Sequence, residues 1–266
     1  MITTINNKLR TEVFNAEREI LIIEKLKKEG RVLVNDLAQE IGVTPMTIRR
    51  DLQKLEEHGV LQKVHGGAVL LDGLPRERAY GEKKLIQTVQ KRIIAGEAIK
   101  LVNPGDTILL DAGTTTFEMA SLLRQKPGVN VVTSDLHIAL ELCDAEGKLF
   151  FVGGEIEKEL ARSTGAKAHQ FLSDIHVDTV FLGISSISDH FMLGSHTFDN
   201  AELKRTILKC GSKRVLLADK GKFGIKAFAQ IGPLSLVDIL ITDNSFSERD
   251  LKYLETENVT LRQVIV

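Results

Sequence analysis

The chain has 266 residues, enough for one large domain or for a small domain followed by a medium one. With 43% apolar and 27% charged residues, its composition is that of a globular protein with a sizeable core. The net charge of −1 excludes a generally polycationic protein, so any surface that binds nucleic acid must be local.

The N-terminal stretch lacks the apolar segment of a secretory signal, and no run approaches the roughly 18 apolar residues of a membrane span. The two cysteines, Cys143 and Cys210, lie far apart and in no metal-binding spacing. Such a pattern is typical of buried free thiols in a reducing compartment. We therefore expect a cytoplasmic protein without a metal, a cofactor or a membrane partner.

Residues 18–58 show the pattern of three short helices. The first has an apolar stripe and lysines in its last turn, and it ends at Gly30. The second is predicted to begin with Asp36 as its N-cap and to end at Gly42.

The third helix follows directly, with Thr44 as its N-cap, Pro45 at its first position and Gly59 as its end. Two short strands then surround the turn at 65–67 and predict a hairpin over 60–70. This order of helices and hairpin predicts a winged helix-turn-helix.

The third helix is amphipathic. Ile48, Leu52 and Leu55 form one stripe, and Asp51 lies towards the same side, where we expect an ion pair or hydrogen bond between helices. The polar and basic residues lie around the rest of the helix. Such a face can enter the major groove, where arginine binds guanine or phosphate, although an ordinary solvated face is the alternative.

From Arg18 to Leu52 the sequence resembles the helix-turn-helix signature of the DeoR family of bacterial transcription regulators. An arginine, Ile22 and Leu26 at fixed spacing precede the segment "TPMTIRRDL" at 44–52. The resemblance implies operator binding, with 44–54 as the recognition helix. The candidate DNA contacts are Thr44, Pro45, Met46, Thr47, Arg49, Arg50, Gln53 and Lys54 on the helix and Lys63 and His65 on the wing.

The sequence leaves open which of these side chains reads a base and which grips a phosphate. The wing residues have an alternative role, since a hairpin can serve only to close the small core.

After a linker at 71–78 the periodicity changes. A long helix is predicted over 83–102, and apolar strands then alternate with helical stretches, which indicates a parallel sheet covered on both faces. The expected strands are 107–111, 130–133, 148–154, 178–184, 213–219, 238–243 and 259–266. The predicted fold is therefore α/β, with a winged helix-turn-helix domain at 1–72 and a parallel-sheet domain at 73–266.

The stretch "LLDAGTTTFEMA" at 109–120 predicts a strand, a turn and the start of a helix. Amides at a helix N-terminus, with a glycine and hydroxyl side chains, can cradle an anion. The candidates for this cradle are Gly113, Thr114, Thr115 and Thr116. Asp111 ends the strand, where open α/β sheets bind ligands, and we assign it to sugar hydroxyls because a carboxylate disfavours phosphate.

Further candidates follow other strands. Thr133 and Ser134 follow one strand, Gly153 and Gly154 another, and Lys220 and Lys222 a third, where an ammonium group could neutralise a phosphate. Each of these alone fits an ordinary turn or cap. Together at the ends of one sheet they favour a small phosphorylated ligand.

This half also resembles the DeoR effector domain, which looks like the sugar-phosphate isomerase fold of ribose-5-phosphate isomerase and glucosamine-6-phosphate deaminase. The matching segments are 111–116, 133–134, 153–154, 194–205, 222–224 and 241–243. The resemblance implies a phosphorylated sugar or sugar alcohol as effector. The sequence departs from the family pattern at two places: Ser134 stands where asparagine is common, and 183–197 lacks the usual glycine-rich spacing. Both departures bear on which sugar is recognised.

The resulting prediction is a DNA-binding transcriptional regulator without catalytic residues, which represses a sugar or sugar-alcohol operon until a phosphorylated sugar releases it. We expect a homo-oligomer, either a dimer or a tetramer. An activator is one alternative. Others are an active sugar-phosphate isomerase or deaminase, for which no acid–base pair stands out, and a DNA-binding protein whose second half only oligomerises.

Overall fold

The computed structural model describes residues 18–19, 21–26, 28–57, 61–64, 66–70, 77 and 79–266. They fall into two compact units, one within residues 1–78 and one at 79–266. Among the predicted features, Gly59, His65, the domain boundary at 72/73 and all of the linker except Glu77 lie outside the described residues.

The first unit consists of short helices and a small sheet. Its described residues within 18–29 are helical and are called α1. The other elements are β1 (Arg31–Leu33), α2 (Val34–Ile41), α3 (Pro45–Glu57), β2 (Leu61–Val64) and β3 (Gly67–Leu70). The strands pair antiparallel in the order β1-β3-β2, and apolar residues from α1, α2, α3 and the strands share one core. The predicted winged helix-turn-helix is confirmed.

Two details of this unit differ from the sequence prediction. Strand β1 joins the predicted hairpin as a third strand, and Gly67 is needed there because a Cβ would lie 2.0 Å from the Val32 carbonyl oxygen. The prediction of Asp36 as the N-cap of α2 was wrong. The helix begins earlier, at Val34, whose amide donates to the Gly66 carbonyl at 2.9 Å, so the hairpin caps the helix instead of a side chain.

The second unit is built around a parallel sheet of seven strands. Its order is β15-β14-β12-β9-β4-β5-β6, and every described pairing is parallel. The strands are β4 (Thr107–Leu110), β5 (Asn130–Thr133), β6 (Leu149–Phe151), β9 (Val177–Gly183), β12 (Gly211–Ala218), β14 (Ile239–Thr242) and β15 (Thr260–Gln263). All seven predicted strands are confirmed. The central strands are apolar runs that the sheet buries on both faces, whereas the edge strands β6 and β15 are partly exposed.

Helices cover both faces of this sheet. The helices of the unit are α4 (Tyr80–Leu85), α5 (Thr88–Ala98), α6 (Thr114–Leu123), α7 (Leu136–Leu142), α8 (Ala166–Ser173), α9 (Phe198–Cys210) and α10 (Glu248–Thr256). One apolar cluster joins the sheet to α5, α6 and α7, and another joins it to α8, α9 and α10. No helix in the described part of the chain is long and apolar enough to cross a bilayer.

The prediction of one long helix over 83–102 was wrong. The chain forms α4, breaks at Ile86 and Gln87, and continues as α5 and a short 3-10 turn at Ile99–Leu101. Gln87 has a left-handed backbone with φ of 55°. The break exposes the carbonyls of Lys83 and Ile86, which accept hydrogen bonds from the Lys91 ammonium at 2.5 Å and 2.6 Å.

Two antiparallel additions were not predicted. Strands β7 (Glu155–Glu157) and β8 (Arg162–Thr164) form a hairpin, and β10 (Ser186–Ile187), β11 (Met192–Ser195) and β13 (Ala229–Pro233) form a small sheet. Both lie in segments that the sequence pattern presented as connections between strands and helices.

Candidate functional site

Helix α3 presents a polar face because one apolar stripe holds it in the first unit. The Thr44 hydroxyl accepts from the Thr47 amide at 3.2 Å, and Pro45 begins the helix, as predicted. The stripe residues Ile48, Leu52 and Leu55 are at most 2% exposed. The outward residues are exposed or half-buried: Met46, Thr47, Arg49, Arg50, Gln53 and Lys54.

Asp51 holds α3 against α1. Its carboxylate accepts from Arg18 Nε at 2.5 Å and from Arg18 Nη2 at 2.9 Å, and the Asp51 side chain is only 3% exposed. This bidentate pair, which also raises the pKa of Arg18 through the hydrogen bond, is the helix-holding contact that the sequence predicted. The side chains that face outward are therefore those of the predicted polar face.

The wing contacts α3 through Lys63. The Lys63 ammonium bonds the Gln53 side chain, and its amide donates to a Glu56 carboxylate oxygen at 2.7 Å. The Lys63 and Gln53 side chains thus touch one another at the same end of the unit. Lys54 lies 3.9 Å from a Glu19 carboxylate oxygen, and His65 lies outside the described residues.

The predicted effector residues lie along one edge of the seven-stranded sheet. The ends of β4, β5, β9, β12 and β14 are in register: Leu110 pairs with Thr133 and Phe181, Leu217 with Gly183, and Ala218 with Thr242. We call this side, where the carboxyl ends of the parallel strands meet, the carboxyl edge. It is the side on which open α/β sheets bind ligands.

Asp111 lies at the centre of the carboxyl edge and is paired with a buried lysine. The Lys204 ammonium from α9 bonds Asp111 Oδ2 and the Gly183 carbonyl, the latter at 2.8 Å, and the Gly183 amide donates to Asp111 at 3.1 Å. Both side chains are at most 4% exposed. Lys204 therefore balances the Asp111 charge and connects the ends of β4 and β9 to α9.

The turn before α6 is held together by internal hydrogen bonds. The Gly113 amide donates to Asp135 Oδ2 at 3.1 Å, and the Thr116 hydroxyl donates to the Gly113 carbonyl at 2.8 Å. Asp135 is buried, and burial raises its pKa. The Gly113 amide, part of the predicted cradle, is thus engaged within the protein, and the first helical amides there belong to Thr114 and Thr115.

Two further predicted pairs follow β5 and β6. The Thr133 hydroxyl accepts from the Asp135 amide at 3.1 Å, whereas the buried Ser134 hydroxyl has no hydrogen-bond partner among the described residues. Gly153 and Gly154 are exposed. Gly154 has a structural reason to be glycine, since a Cβ there would lie 2.3 Å from the Thr164 carbonyl oxygen of the β7–β8 hairpin.

Residues 79–87, which we call the strap, run along the carboxyl edge. At one end, the Tyr80 ring stacks on His137 at a centroid distance of 3.9 Å, and the Tyr80 amide donates to the Glu159 carbonyl at 3.0 Å. At the other end, the Gln87 side-chain nitrogen lies near Gly221, just beyond β12. The strap therefore reaches from the end of β5 to the end of β12.

Lysines gather where the strap meets the end of β12. Lys91 is 5% exposed, and burial lowers its pKa to about 8. Asp219 and Lys222 lie close enough to influence its charge, with Asp219 favouring and Lys222 disfavouring the protonated form. Of the two predicted lysines, Lys222 is half-buried in this group, whereas Lys220 is exposed and its amide donates to Asp243 at 2.6 Å.

Sequence reasoning missed three buried basic residues at this edge. They are Lys91, Lys204 and Arg162, the last bound to Glu157 and, at 2.5 Å, to Asn200. Asn200 and Asp111 are distant in sequence from their basic partners, and Lys91 bonds backbone carbonyls. Glu157 lies only five residues before Arg162, but the two are neighbours because of the β7–β8 hairpin, which the sequence did not predict. Lys204 does lie in the family-like segment 194–205, which was the one available signal.

Another depression lies away from this edge. It has a volume of about 400 Å³ between the end of α10 and the start of β15, and its lining residues include Leu251, Leu254 and Asn258. None of its lining residues is basic, so it does not suit a phosphate.

Two family models match the chain. Residues 18–73 match the DeoR-like helix-turn-helix domain, and residues 86–244 match the DeoR C-terminal sensor domain. The chain belongs to the DeoR family. A DeoR-family regulator carries its operator-binding surface in the first unit and its small-molecule sensor in the second, as the resemblance of the sequence implied.

Similar proteins carry regulatory names. The putative aga operon transcriptional repressor of Escherichia coli O157:H7 is 33% identical and covers 92% of each chain. The transcriptional repressor GlcR of Bacillus subtilis is 30% identical over 94% of this chain and 96% of its own. Ribose 5-phosphate isomerase from Methanocaldococcus jannaschii aligns with 52% of this chain and 55% of its own, at 18% identity and a TM-score of 0.39. The DeoR-family chain is thus a transcriptional regulator rather than an enzyme.

Proposed function

We propose that this regulator represses a sugar or sugar-alcohol operon and leaves its operator when a phosphorylated sugar binds at the carboxyl edge. Both relatives described above are named as repressors, one of them of the aga operon, which favours repression. The observation that carries the effector proposal is the buried Lys91 ammonium, held by two strap carbonyls beside Lys222.

The chemistry of this group suits a phosphate. A buried ammonium that is held by neutral carbonyls gains more from an anion than from its present partners, because an anion adds the attraction between opposite charges, which is strong in a buried site. Lys222 adds a second positive charge within its electrostatic reach. Asp111 and Ser134 would then face the sugar, since hydroxyl groups pair with carboxylates and with hydroxyls that lack a partner.

The remaining predicted residues complete the proposal. The amides of Thr114 and Thr115 supply further donors at the start of α6, with Gly113 and Thr116 shaping the turn. Thr133, Gly153, Gly154 and Lys220 border the same edge. Binding there would favour an arrangement of the oligomer in which the paired α3 helices no longer match the operator half-sites, so ligand and operator weaken each other reciprocally.

Replacing Arg50 by alanine tests whether the polar face of α3 binds the operator. We expect affinity for DNA from upstream of the gene that encodes this chain to fall about 5- to 150-fold, because a base or phosphate contact of an exposed arginine is lost. Fluorescence anisotropy at two salt concentrations measures it, and a reduced salt slope would mark a phosphate contact. Arg249→Ala, on exposed α10 of the other unit, is the matched control. Equal affinities for wild type and Arg50→Ala would contradict the role of the α3 face.

If Lys91 binds the phosphate of the effector, the affinity for that effector should depend on pH. Burial lowers the pKa of Lys91 from its ordinary value of 10.5 to about 8 in the folded protein, so affinity for a phosphorylated sugar should fall about tenfold between pH 7 and pH 9. Over pH 8 to 10.5 the unfolded chain binds more protons than the folded one, so the free energy of unfolding should rise with pH. Calorimetric titration with a panel of sugar phosphates measures the affinity.

Lys91→Met should bind weakly at both pH values and lose the pH step, whereas Lys252→Met, at an exposed site on α10, should keep it. Binding that is independent of pH in the wild type would exclude Lys91 as the phosphate ligand. If no sugar phosphate binds at all, the second unit only oligomerises or senses another class of molecule.

A further inference from the structure

Helix α9 has an inner face that is hydrogen-bonded within the unit and an outer face that is largely exposed to solvent. Inward, Lys204 bonds Asp111 and Asn200 accepts from Arg162. Outward, the chain places Phe198, Glu202, Arg205 and Lys209 at intervals of four, three and four residues, which puts them on one side of the helix. Glu202 and Lys209 form no ion pair among the described residues.

An aromatic pair marks one end of this outer face. Phe198 is 62% exposed and Phe228 is 55% exposed, and their rings meet edge to face with centroids 5.0 Å apart. Two neighbouring exposed phenylalanines form an apolar patch of the kind that marks a protein–protein contact. Arg205 connects the helix to the same neighbourhood, since its guanidinium donates to the Gln230 carbonyl at 2.6 Å.

The acidic and basic side chains of α9 are separated along the helix. Asp199 and Glu202 lie in the first half of α9, and Arg205 and Lys209 lie in the second half. A two-fold axis through the middle of the helix would bring each acidic half opposite a basic half. It would also set the two helix dipoles antiparallel, which is the favourable arrangement. A surface that is complementary to itself in this way is what an isologous dimer requires.

We infer that α9 pairs with α9 of a second copy of this chain, antiparallel about a two-fold axis, with the Phe198–Phe228 patch at each end of the contact. The occupant is a second copy because the charge order complements itself. The inference does not depend on which ligand the carboxyl edge binds. It also brings the contact close to that edge, since the same helix carries Lys204 on its other side.

A charge exchange tests the pairing. A two-fold axis through the middle of α9 sets Asp199 of one copy opposite Lys209 of the other. Asp199→Lys alone and Lys209→Asp alone each place like charges opposite one another, so each should raise the dimer dissociation constant about tenfold or more, by analytical ultracentrifugation of the full chain. The double variant should recover the wild-type value, because the pairs are only exchanged. Phe198→Ser with Phe228→Ser should at least halve the sedimentation mass at micromolar concentration.

The control is Leu140→Ser, which removes a side chain 72% exposed on α7, on the opposite face of the sheet. It should leave the mass unchanged. Circular dichroism checks that every variant is folded. Three results would each overturn the inference. The wild type could be monomeric, or the double charge variant could dimerise as weakly as the single variants. The oligomer could also dissociate in Leu140→Ser but persist in the phenylalanine double variant.

Discussion

Asp51→Ala should lower the free energy of unfolding of the DNA-binding unit by about 3–5 kcal/mol, since it removes the carboxylate that accepts two hydrogen bonds from the largely buried Arg18 guanidinium. That loss is comparable to the whole stability of a small domain. Far-ultraviolet circular dichroism during thermal unfolding should therefore show the first unit melting early while the seven-stranded unit melts as in the wild type.

The matched control removes both charges. Arg18→Met with Asp51→Leu replaces the pair by apolar side chains of similar volume and should cost far less than Asp51→Ala. The DNA affinity should follow the same order, because the position of α3 depends on how well the contact between α1 and α3 is kept. A double variant as unstable as Asp51→Ala would mean that the geometry of the pair, and not the unpaired charge, determines the stability.

Lys204→Ala should have an effect of similar size in the sensor unit. It would leave the Asp111 carboxylate, 2% exposed, without its ammonium partner and would also remove the donor to the Gly183 carbonyl. Breaking such a buried pair costs about 3–5 kcal/mol. Differential scanning calorimetry should show the transition of the seven-stranded unit at lower temperature, with that of the DNA-binding unit unchanged.

The double variant Lys204→Met with Asp111→Leu separates stability from ligand recognition. It should recover most of the lost stability, since no buried charge remains unpaired. It should still fail to bind sugar phosphates if Asp111 contacts the sugar hydroxyls as proposed. Ligand binding by the stable double variant would place the sugar elsewhere, and a full loss of stability in the double variant would contradict the ion-pair explanation.

The sequence pattern alone was sufficient to predict the helices and strands whose apolar residues repeat with a regular period. The stripe of Ile48, Leu52 and Leu55 predicted which face of α3 is buried, and with it the outward position of Arg49 and Arg50. The seven sheet strands were likewise visible as short segments rich in apolar residues, because the central strands are buried on both faces and have few polar positions to interrupt them.

Tertiary contacts decided the rest. Lys204 and Asp111 are 93 residues apart, so no spacing could reveal their pairing. The helical pattern over 83–102 contains no proline and no strong break, yet the chain opens at Gln87. There the buried Lys91 ammonium satisfies its hydrogen bonds with carbonyls that a continuous helix would have used itself. Periodicity reports which faces are buried, whereas the partners of buried charges depend on which strands and helices become neighbours in the folded chain.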